Sequence, residues 1–164
     1  MKNLVLIGFM GSGKSSLGRL ISAETGRFFL DTDALIESHY ARAIGEIFAS
    51  EGEAAFRAAE KNCAAFLAKS VKNAVIATGG GMPIVCDNLS EIGKVVYLKC
   101  SFEAIAKRLS QDAEKSKRPL AASLEILRER YDARLKIYEK SAEIVINAED
   151  PIEICLQNLR EKIV

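Results

Sequence analysis

The residues best placed to carry chemistry stand near the start of the chain, in the run Gly8-Phe9-Met10-Gly11-Ser12-Gly13-Lys14-Ser15. This run fits the pattern of a glycine, any four residues and then Gly-Lys-Ser, which is typical of the phosphate-binding P-loop. An apolar run, residues 4–7, comes directly before it, and a helix-like run, residues 16–25, comes directly after it. The glycines let backbone N–H groups turn towards phosphate oxygens, and the helix adds its positive N-terminal end. The sequence therefore predicts a phosphate site rather than a glycine-rich turn with an incidental lysine.

Two side chains of this motif have distinct expected roles. Lys14 is expected to reach the β- and γ-phosphates of a nucleotide as a mobile point charge, and the Ser15 hydroxyl is expected to ligate Mg²⁺. The other residues of the motif that we expect to contact the nucleotide are Gly11, Ser12, Gly13 and Ser16.

The hydrophobic pattern alternates between strands and helices along the whole chain. Short apolar runs predict five strands, at residues 4–7, 28–30, 74–77, 94–99 and 144–146. Helices are predicted at residues 15–25, 53–70, 101–109 and 123–141, and from Asp150-Pro151 onward. Between residues 33 and 52, Gly45 and Gly52 are expected to break a helical pattern into short pieces. Buried strands separated by helices predict one α/β domain, residues 1–164, with a parallel sheet covered on both faces.

Composition narrows the class of protein. Of the 164 residues, 49% are hydrophobic and 27% are charged, which is typical of a globular domain with a sizeable core. The net charge of +1 and the absence of a long apolar run indicate neither a nucleic-acid nor a membrane partner. The single histidine, His39, argues against multi-histidine metal sites and Ser-His-Asp catalysis. Four scattered cysteines and a strand directly after Met1 predict free thiols, no targeting peptide and a cytoplasmic location.

Three polar clusters fall at the carboxyl ends of predicted strands: the P-loop, Asp31-Thr32-Asp33 and Gly79-Gly80-Gly81. Open parallel sheets bind ligands beyond those ends, so we expect the clusters to meet in one crevice. Asp31 stands directly at a strand end and is the expected acidic partner of Mg²⁺. Asp33 has two interpretations that the sequence leaves open, a helix N-cap or a carboxylate that accepts a proton from a substrate hydroxyl. The three glycines suit close approach of the main chain to a ligand.

Two arginines lie on or beside apolar helix stripes. Glu60 belongs to such a stripe and follows Arg57 by three residues, so it is expected to hold that guanidinium in place. The alternative is an ordinary surface pair, worth about 0.3 kcal/mol. Arg134 lies on the helical line of Leu127 and Tyr138, where a guanidinium should find an anion or line a cleft. Its alternative is a side chain that extends to solvent at the helix edge.

The segment at residues 111–122 is polar and charged, contains Arg118-Pro119 and is predicted to be a mobile loop. A charged run of this kind is usually only a solvated surface. The alternative is a lid that brings Arg118 onto phosphates during phosphoryl transfer.

Taken together, these motifs resemble one family, the shikimate kinases, which are small P-loop kinases. The resemblance covers nearly the whole chain, and the motifs occur in the order of the family. They are the P-loop, Asp31-Thr32-Asp33, the region of residues 47–60, Gly79-Gly80-Gly81, Arg118-Pro119-Leu120, and Arg134 followed by Tyr138. The resemblance implies a five-stranded parallel sheet of order 2-3-1-4-5, a helical substrate-binding segment at residues 33–60 and a lid at residues 111–122.

The resemblance also implies a reaction, the transfer of the ATP γ-phosphoryl group to the 3-hydroxyl of shikimate in chorismate biosynthesis, with Mg²⁺. It implies that Asp33 binds the ring hydroxyls of shikimate. It further implies that Arg57, Arg134 and backbone N–H groups of the glycine triplet hold the shikimate carboxylate.

On the nucleotide side, the resemblance implies that Arg118 moves from the lid to the phosphates. It also implies that Arg108 and residues 147–151 flank adenine. The catalytic residues are then expected to be Lys14, Asp33 and Arg118 in a monomeric enzyme. A gluconate kinase would share the P-loop but would not need two arginines and a glycine triplet around a carboxylate. A guanine-specific switch would need an Asn-Lys-x-Asp element, which this sequence lacks.

Overall fold

The computed structural model describes residues 2–116 and 124–163, except for the side chains of residues 112–116. All five predicted strands are present. They are β1 (Asn3–Ile7), β2 (Phe28–Asp31), β3 (Ala74–Ala77), β4 (Gly93–Lys99) and β5 (Ile144–Asn147). The helices are α1 (Lys14–Thr25), α2 (Thr32–Tyr40), α3 (Ile44–Ser70), α4 (Met82–Val85), α5 (Leu89–Ile92), α6 (Phe102–Ser116), α7 (Leu124–Ser141) and α8 (Ile152–Ile163).

The five strands form one parallel sheet in the order β2-β3-β1-β4-β5, which confirms the order implied by the resemblance. The central strand β1 pairs with β3 through Leu4 and Val75 and with β4 through Val5 and Val95. Every residue of β1 and β3 is buried, so helices cover both faces of the sheet centre. This burial explains why these strands are continuously apolar rather than alternating.

Helix α1 holds the P-loop against the sheet. Gly18 lies on its inner side, where a Cβ atom would come within 2.6 Å of the Phe29 ring and 3.1 Å of Leu6. The missing side chain therefore lets the helix approach β1 and β2 closely. Gly26 ends α1 with a φ of 67°, as predicted, because glycine adopts this left-handed conformation without a Cβ penalty.

The strand order brings the three polar clusters to the same edge of the sheet. The P-loop follows β1, Asp31 ends β2, and Thr78 follows β3. Thr78 donates its backbone N–H to the Leu6 carbonyl oxygen at 3.0 Å, which extends the β1–β3 contact up to the glycine triplet. The predicted meeting of these clusters is therefore a consequence of β1, β2 and β3 being close in one parallel sheet.

Helix α6 is longer than the sequence analysis predicted. It was expected to end near residue 109, with a mobile loop from residue 111, but it continues to Ser116. Residues 111–116 are Gln, Asp, Ala, Glu, Lys and Ser. This stretch contains no proline or glycine, the residues that most disfavour a helix, so the helix can continue through it. Residues 117–122 of the predicted lid lie outside the described residues.

Three further predictions about local structure were wrong. The second strand is not buried, because β2 lies at the sheet edge and leaves Phe28 83% exposed. Gly45 does not break a helix but lies in the first turn of α3, and the chain turns between α2 and α3 at Ala41, with a φ of 51°. Gly52 does interrupt α3, since its φ of 82° and ψ of 177° are not helical. The last helix begins at Ile152 rather than directly after Asp150.

Candidate active site

The P-loop turns tightly between β1 and α1. Gly11 and Gly13 take left-handed backbone angles, with φ values of 76° and 93° that strain other residues. A side chain on Gly8 would come within 2.8 Å of the Leu98 carbonyl oxygen. Ser12 is buried, and none of the residues that the structure describes bonds to its hydroxyl oxygen. A buried polar group without a partner is costly, so the loop is suited to a polar ligand such as phosphate.

Lys14 is half-buried, and its ammonium group turns back towards the loop. Nζ donates hydrogen bonds to the carbonyl oxygens of Gly8 at 2.8 Å and Phe9 at 2.9 Å. Burial lowers the pKa of Lys14 to about 8, although the carboxylates of Asp33 and Asp31 oppose this shift. Two neutral carbonyl groups therefore bind the ammonium, which has little access to water. A phosphate would form a stronger hydrogen bond with it than these carbonyls do, because phosphate is negatively charged.

Asp31 lies beside the P-loop and caps a helix at the same time. Its Oδ1 atom accepts the backbone N–H groups of Asp33 at 3.0 Å and Ala34 at 3.4 Å, which makes Asp31 the N-cap of α2. The Ser15 hydroxyl donates to its Oδ2 atom at 3.3 Å. This pair of oxygen ligands fits Mg²⁺, which binds one or two protein oxygens together with waters and phosphate oxygens.

The alternative interpretation of Asp33 as the N-cap is wrong, because Asp31 occupies that position and Asp33 lies in the first turn of α2. The Oδ1 atom of Asp33 is buried, and no hydrogen-bond donor reaches it from the described part of the chain. Burial raises the pKa of Asp33, the Asp31 carboxylate raises it further, and Lys14 opposes both. A carboxylate with a raised pKa and an available oxygen is suited to accept a proton.

The glycine triplet, residues 79–81, is the point where the other predicted substrate residues meet. A Cβ atom on its first glycine would collide with the Asp33 carboxylate, and one on its third glycine would collide with the Arg57 guanidinium. A Cβ atom on its second glycine would lie 3.5 Å from an Arg134 nitrogen. The absent side chains thus provide the space in which one carboxylate and two guanidinium groups approach the same turn of main chain.

Arg57 is held by two carboxylates on its own helix. It donates to Glu60 at 2.6 Å, and Glu60 is only 1% exposed. It also donates through two nitrogens to the exposed Glu53, at 3.0 and 3.2 Å. Burial raises the pKa of Glu60, while Arg57 opposes that shift. The surface-pair alternative for Glu60 and Arg57 is therefore wrong, because one partner is inside the protein.

Arg134 reaches the same turn from α7. Its guanidinium carbon lies 5.6 Å from the centre of the Phe9 ring, a cation–π distance, and the side chain is half-buried. The buried Tyr138 lies one turn further along the helix and donates its hydroxyl proton to the Gly80 carbonyl oxygen at 2.6 Å. Arg134 therefore lines the crevice rather than extending into solvent.

A cleft of about 640 Å³ opens on the other side of the P-loop. Arg108 and Ser16 line it, together with residues 148–152, so the predicted adenine-side residues do lie together except for Asn147. Arg108 is fixed in place by hydrogen bonds from its guanidinium to the carbonyl oxygens of Gly11 at 3.2 Å and Ala148 at 2.5 Å. Arg118, a predicted catalytic residue, lies outside the described residues.

Three further residues around the site make contacts that were not predicted from the sequence. The buried Thr32 hydroxyl accepts the backbone N–H of Gly79 at 2.8 Å, so this N–H is already used within the protein. Glu53 is a second partner of Arg57, and Phe9 stacks near Arg134. Of these contacts, only the pair of Glu53 and Arg57 could have been predicted from the sequence, because the two residues are four positions apart on a helix.

Comparison with known proteins agrees with this geometry. The family model described as shikimate kinase matches residues 10–163. The chain belongs to the shikimate kinase family. A curated shikimate kinase from Helicobacter hepaticus is 49% identical over 149 residues, which cover 91% of this chain and 88% of that protein.

Solved structures give the same result for the fold. The shikimate kinase from Acinetobacter baumannii, solved in complex with shikimate, is 32% identical with a TM-score of 0.82, covering 100% of this chain and 96% of that one. A gluconokinase from Sinorhizobium meliloti is 20% identical with a TM-score of 0.60, covering 96% of this chain and 88% of that one. At that level of identity, the similarity to the gluconokinase shows only that the two proteins share a fold. No helix among the described residues is long and apolar enough to cross a membrane.

Proposed function

We propose that this chain transfers the γ-phosphoryl group of ATP to the 3-hydroxyl of shikimate, giving shikimate 3-phosphate and ADP for aromatic amino acid biosynthesis. The observation that carries the proposal is the approach of Asp33, Arg57 and Arg134 to three consecutive glycines. Membership of the shikimate kinase family supports ATP as the phosphoryl donor. The related structure with bound shikimate supports a small carboxylated acceptor.

The acceptor carboxylate is proposed to lie between the two arginines. A guanidinium binds a carboxylate with two parallel N–H groups, so Arg57 and Arg134 can fix both its charge and its plane. Glu60 binds Nη1 of Arg57 at 2.6 Å and the exposed Glu53 binds Nε and Nη2, so the ligand is proposed to take the N–H that remains on each of the two terminal nitrogens. Since the N–H of Gly79 is bonded to Thr32, the proposed backbone donors are the N–H groups of Gly80 and Gly81.

Asp33 is proposed to bind the acceptor hydroxyls and to take the proton of the hydroxyl that attacks phosphorus. Its buried Oδ1 atom is available as an acceptor, and its raised pKa makes the carboxylate a better base. Lys14 lies close enough to interact with Asp33 electrostatically, so the base and the phosphate-binding lysine face the same space.

The nucleotide is proposed to bind with its phosphates on the P-loop and its base in the cleft lined by Arg108 and residues 148–152. Lys14 would exchange the carbonyls of Gly8 and Phe9 for phosphate oxygens. Ser15 and Asp31 are proposed to hold Mg²⁺, which when bound neutralises charge on the transferring phosphates. Arg118, the lid, a monomeric state and a cytoplasmic location stay predictions from the sequence.

An acceptor panel tests the proposal. ADP release from ATP and Mg²⁺ is measured with shikimate, with gluconate and without an acceptor. Of the three assays, only the one with shikimate is expected to show turnover, and its product is expected to be shikimate 3-phosphate. Turnover with gluconate but not shikimate would favour the gluconate kinase alternative. ADP release that no acceptor changes would instead indicate a nucleotide-binding module without this acceptor site.

A further inference from the structure

The Tyr138 hydroxyl connects two parts of the acceptor site that come from different places in the chain. Tyr138 is 0% exposed, and its hydroxyl donates to the Gly80 carbonyl oxygen at 2.6 Å. Burial raises the pKa of this hydroxyl, and the nearby Arg134 guanidinium opposes the shift. A Cβ atom placed on Gly80 would be 3.5 Å from Arg134 Nη1 and 3.6 Å from Tyr138 Oη, so both groups flank one point of the glycine turn.

The chemistry of the hydroxyl allows it to serve both neighbours at once. A phenol carries one donor proton and accepts through its oxygen, whereas a guanidinium only donates and a carbonyl only accepts. With its proton directed at the Gly80 carbonyl, the hydroxyl keeps the lone pairs of its oxygen, which can accept an N–H of the Arg134 guanidinium. The ring is held by the core, since its centre lies 5.3 Å from that of the buried Tyr97 on β4.

We propose that Tyr138 is a positioning residue for the acceptor site, which sets the orientation of the Gly80 peptide and of the Arg134 guanidinium relative to each other. This inference rests on the proposed function, because those two groups are proposed to hold the acceptor carboxylate. This orientation matters because the acceptor carboxylate would bind the Gly80 N–H and the Arg134 guanidinium together. It can do so only when the two groups are aligned to within a fraction of an ångström.

The chain offers a matched control on the same helix. Tyr131 is also buried, and its hydroxyl also donates to a backbone carbonyl, that of Cys100 at 2.8 Å. Replacing either tyrosine by phenylalanine removes one buried hydroxyl and keeps the ring. The two variants are therefore expected to lose similar stability, and only Tyr138→Phe removes a link to the acceptor site.

The experiment compares wild type, Tyr138→Phe and Tyr131→Phe by steady-state kinetics, by calorimetric titration with shikimate and by thermal unfolding. Tyr138→Phe is expected to raise KM and Kd for shikimate about tenfold, the effect of one misplaced charge-assisted contact, with kcat and the KM for ATP within about twofold. Tyr131→Phe is expected to lower the melting temperature similarly and to leave the shikimate constants unchanged. In an Arg134→Lys background, Tyr138→Phe is expected to have a smaller effect, because both changes act on one contact.

Equal shikimate constants for the two phenylalanine variants would overturn the inference while the proposed function stands. A wild type that neither binds nor phosphorylates shikimate would overturn the proposed function and the inference with it. If Tyr138→Phe does not fold, 3-fluorotyrosine in place of Tyr138 retains the hydroxyl and weakens its oxygen as an acceptor. It is expected to raise KM for shikimate about twofold to threefold, whereas the same replacement of Tyr131 does not, and equal values again count against the inference.

Discussion

The Asp31 carboxylate accepts the backbone N–H of Asp33 at 3.0 Å, so the first acid of this pair caps α2 and the second does not. Asp33 is thereby left with a buried oxygen that no described donor reaches, directly opposite the first glycine of the triplet. The two acids are two residues apart, yet Asp31 accepts the N–H groups that cap the helix, whereas the Oδ1 atom of Asp33 receives no hydrogen bond from the described residues. This division separates the stability of α2 from the chemistry proposed for Asp33.

Asp33→Asn is expected to lower kcat about 10²- to 10⁴-fold, the contribution typical of a general base. The melting temperature should stay close to wild type, since Asp33 is not a cap. In the wild type, kcat/KM should fall on the acidic side at a pKa above 3.8, the ordinary aspartate value, because burial raises the pKa of this base. An Asp33→Asn enzyme with normal kcat would remove Asp33 from the mechanism.

Asp31 is the matched control for that experiment. Asp31→Ala should destabilise the protein by about 1 kcal/mol through loss of the cap, whereas Asp31→Asn should not, because asparagine caps as well as aspartate. Asp31→Asn should instead raise the Mg²⁺ concentration needed for half-maximal activity. A normal Mg²⁺ requirement in a folded Asp31→Asn protein would argue against the proposed metal site.

Lys14→Met should reduce kcat about a hundredfold or more, because a charge aimed at the transferring phosphates is lost. Stability gives a second test. The pKa of Lys14 is about 8 in the folded chain and 10.5 ordinarily, so between these values the unfolded chain binds more protons. The free energy of unfolding of the wild type, relative to Lys14→Met, should therefore rise as the pH increases from 8 to 10.5. Denaturant unfolding at several pH values measures it, and a falling difference would contradict the burial of this ammonium.

Arg57→Lys and Arg134→Lys should each raise the KM for shikimate about tenfold to a hundredfold, since lysine cannot reproduce the planar fork of two N–H groups. The KM for ATP should change much less, because the nucleotide lies on the P-loop side. The double variant should be less impaired than the product of the single effects, since both residues hold one group. Normal shikimate binding together with weakened ATP binding would show that the acceptor site is misplaced.

Glu60→Gln should give a weaker form of the Arg57→Lys phenotype, with the KM for shikimate raised about threefold to tenfold. The control is Glu53→Gln, because Glu53 bonds the same guanidinium but is 68% exposed, and its effect should stay below about twofold. Equal effects of the two changes would mean that burial of Glu60 does not help to hold Arg57.

The pH dependence of stability provides a separate readout for Glu60. Burial raises its pKa above the ordinary 4.5, so the folded chain binds more protons than the unfolded chain in the interval above 4.5. The free energy of unfolding of the wild type, relative to Glu60→Gln, should therefore decrease as the pH rises through that interval. An increase would mean that Arg57 outweighs desolvation.

Gly81→Ala should raise the KM for shikimate and cost less stability than a collision with backbone, because the new methyl group meets the end of the Arg57 side chain. Gly93→Ala should lower stability and leave the KM for shikimate unchanged, since its methyl group would collide with the backbone oxygen of Asn3 between β1 and β4. Gly45→Ala meets nothing within 4 Å in a helix and should stabilise the chain by up to about 1 kcal/mol. Kinetics and thermal unfolding of the three variants check this pattern, and a Gly81→Ala protein that is less stable than Gly93→Ala and binds shikimate normally would contradict it.

The amino-acid sequence by itself determined the strands, most of the helices and the P-loop. These features depend on local patterns: apolar runs of strand length, helical spacing, and a glycine-rich motif between a strand and a helix. The same patterns could not show that residues 111–116 continue a helix or that β2 lies at a sheet edge. The first depends on weak propensities of polar residues, and the second depends on which strands pair.

The tertiary structure alone decided where the side chains of Asp33, Arg57, Arg134 and Tyr138 lie and what they contact. The first three each had an ordinary alternative in the sequence, because a cap, a surface pair and an exposed arginine use the same residue types at the same spacings. The choice depends on what approaches from elsewhere in the chain: the Asp31 carboxylate takes the cap, Glu60 is buried, and the glycine turn receives groups from α2, α3 and α7. Such contacts join residues up to 58 positions apart, as Tyr138 and Gly80 are, and no local pattern encodes them.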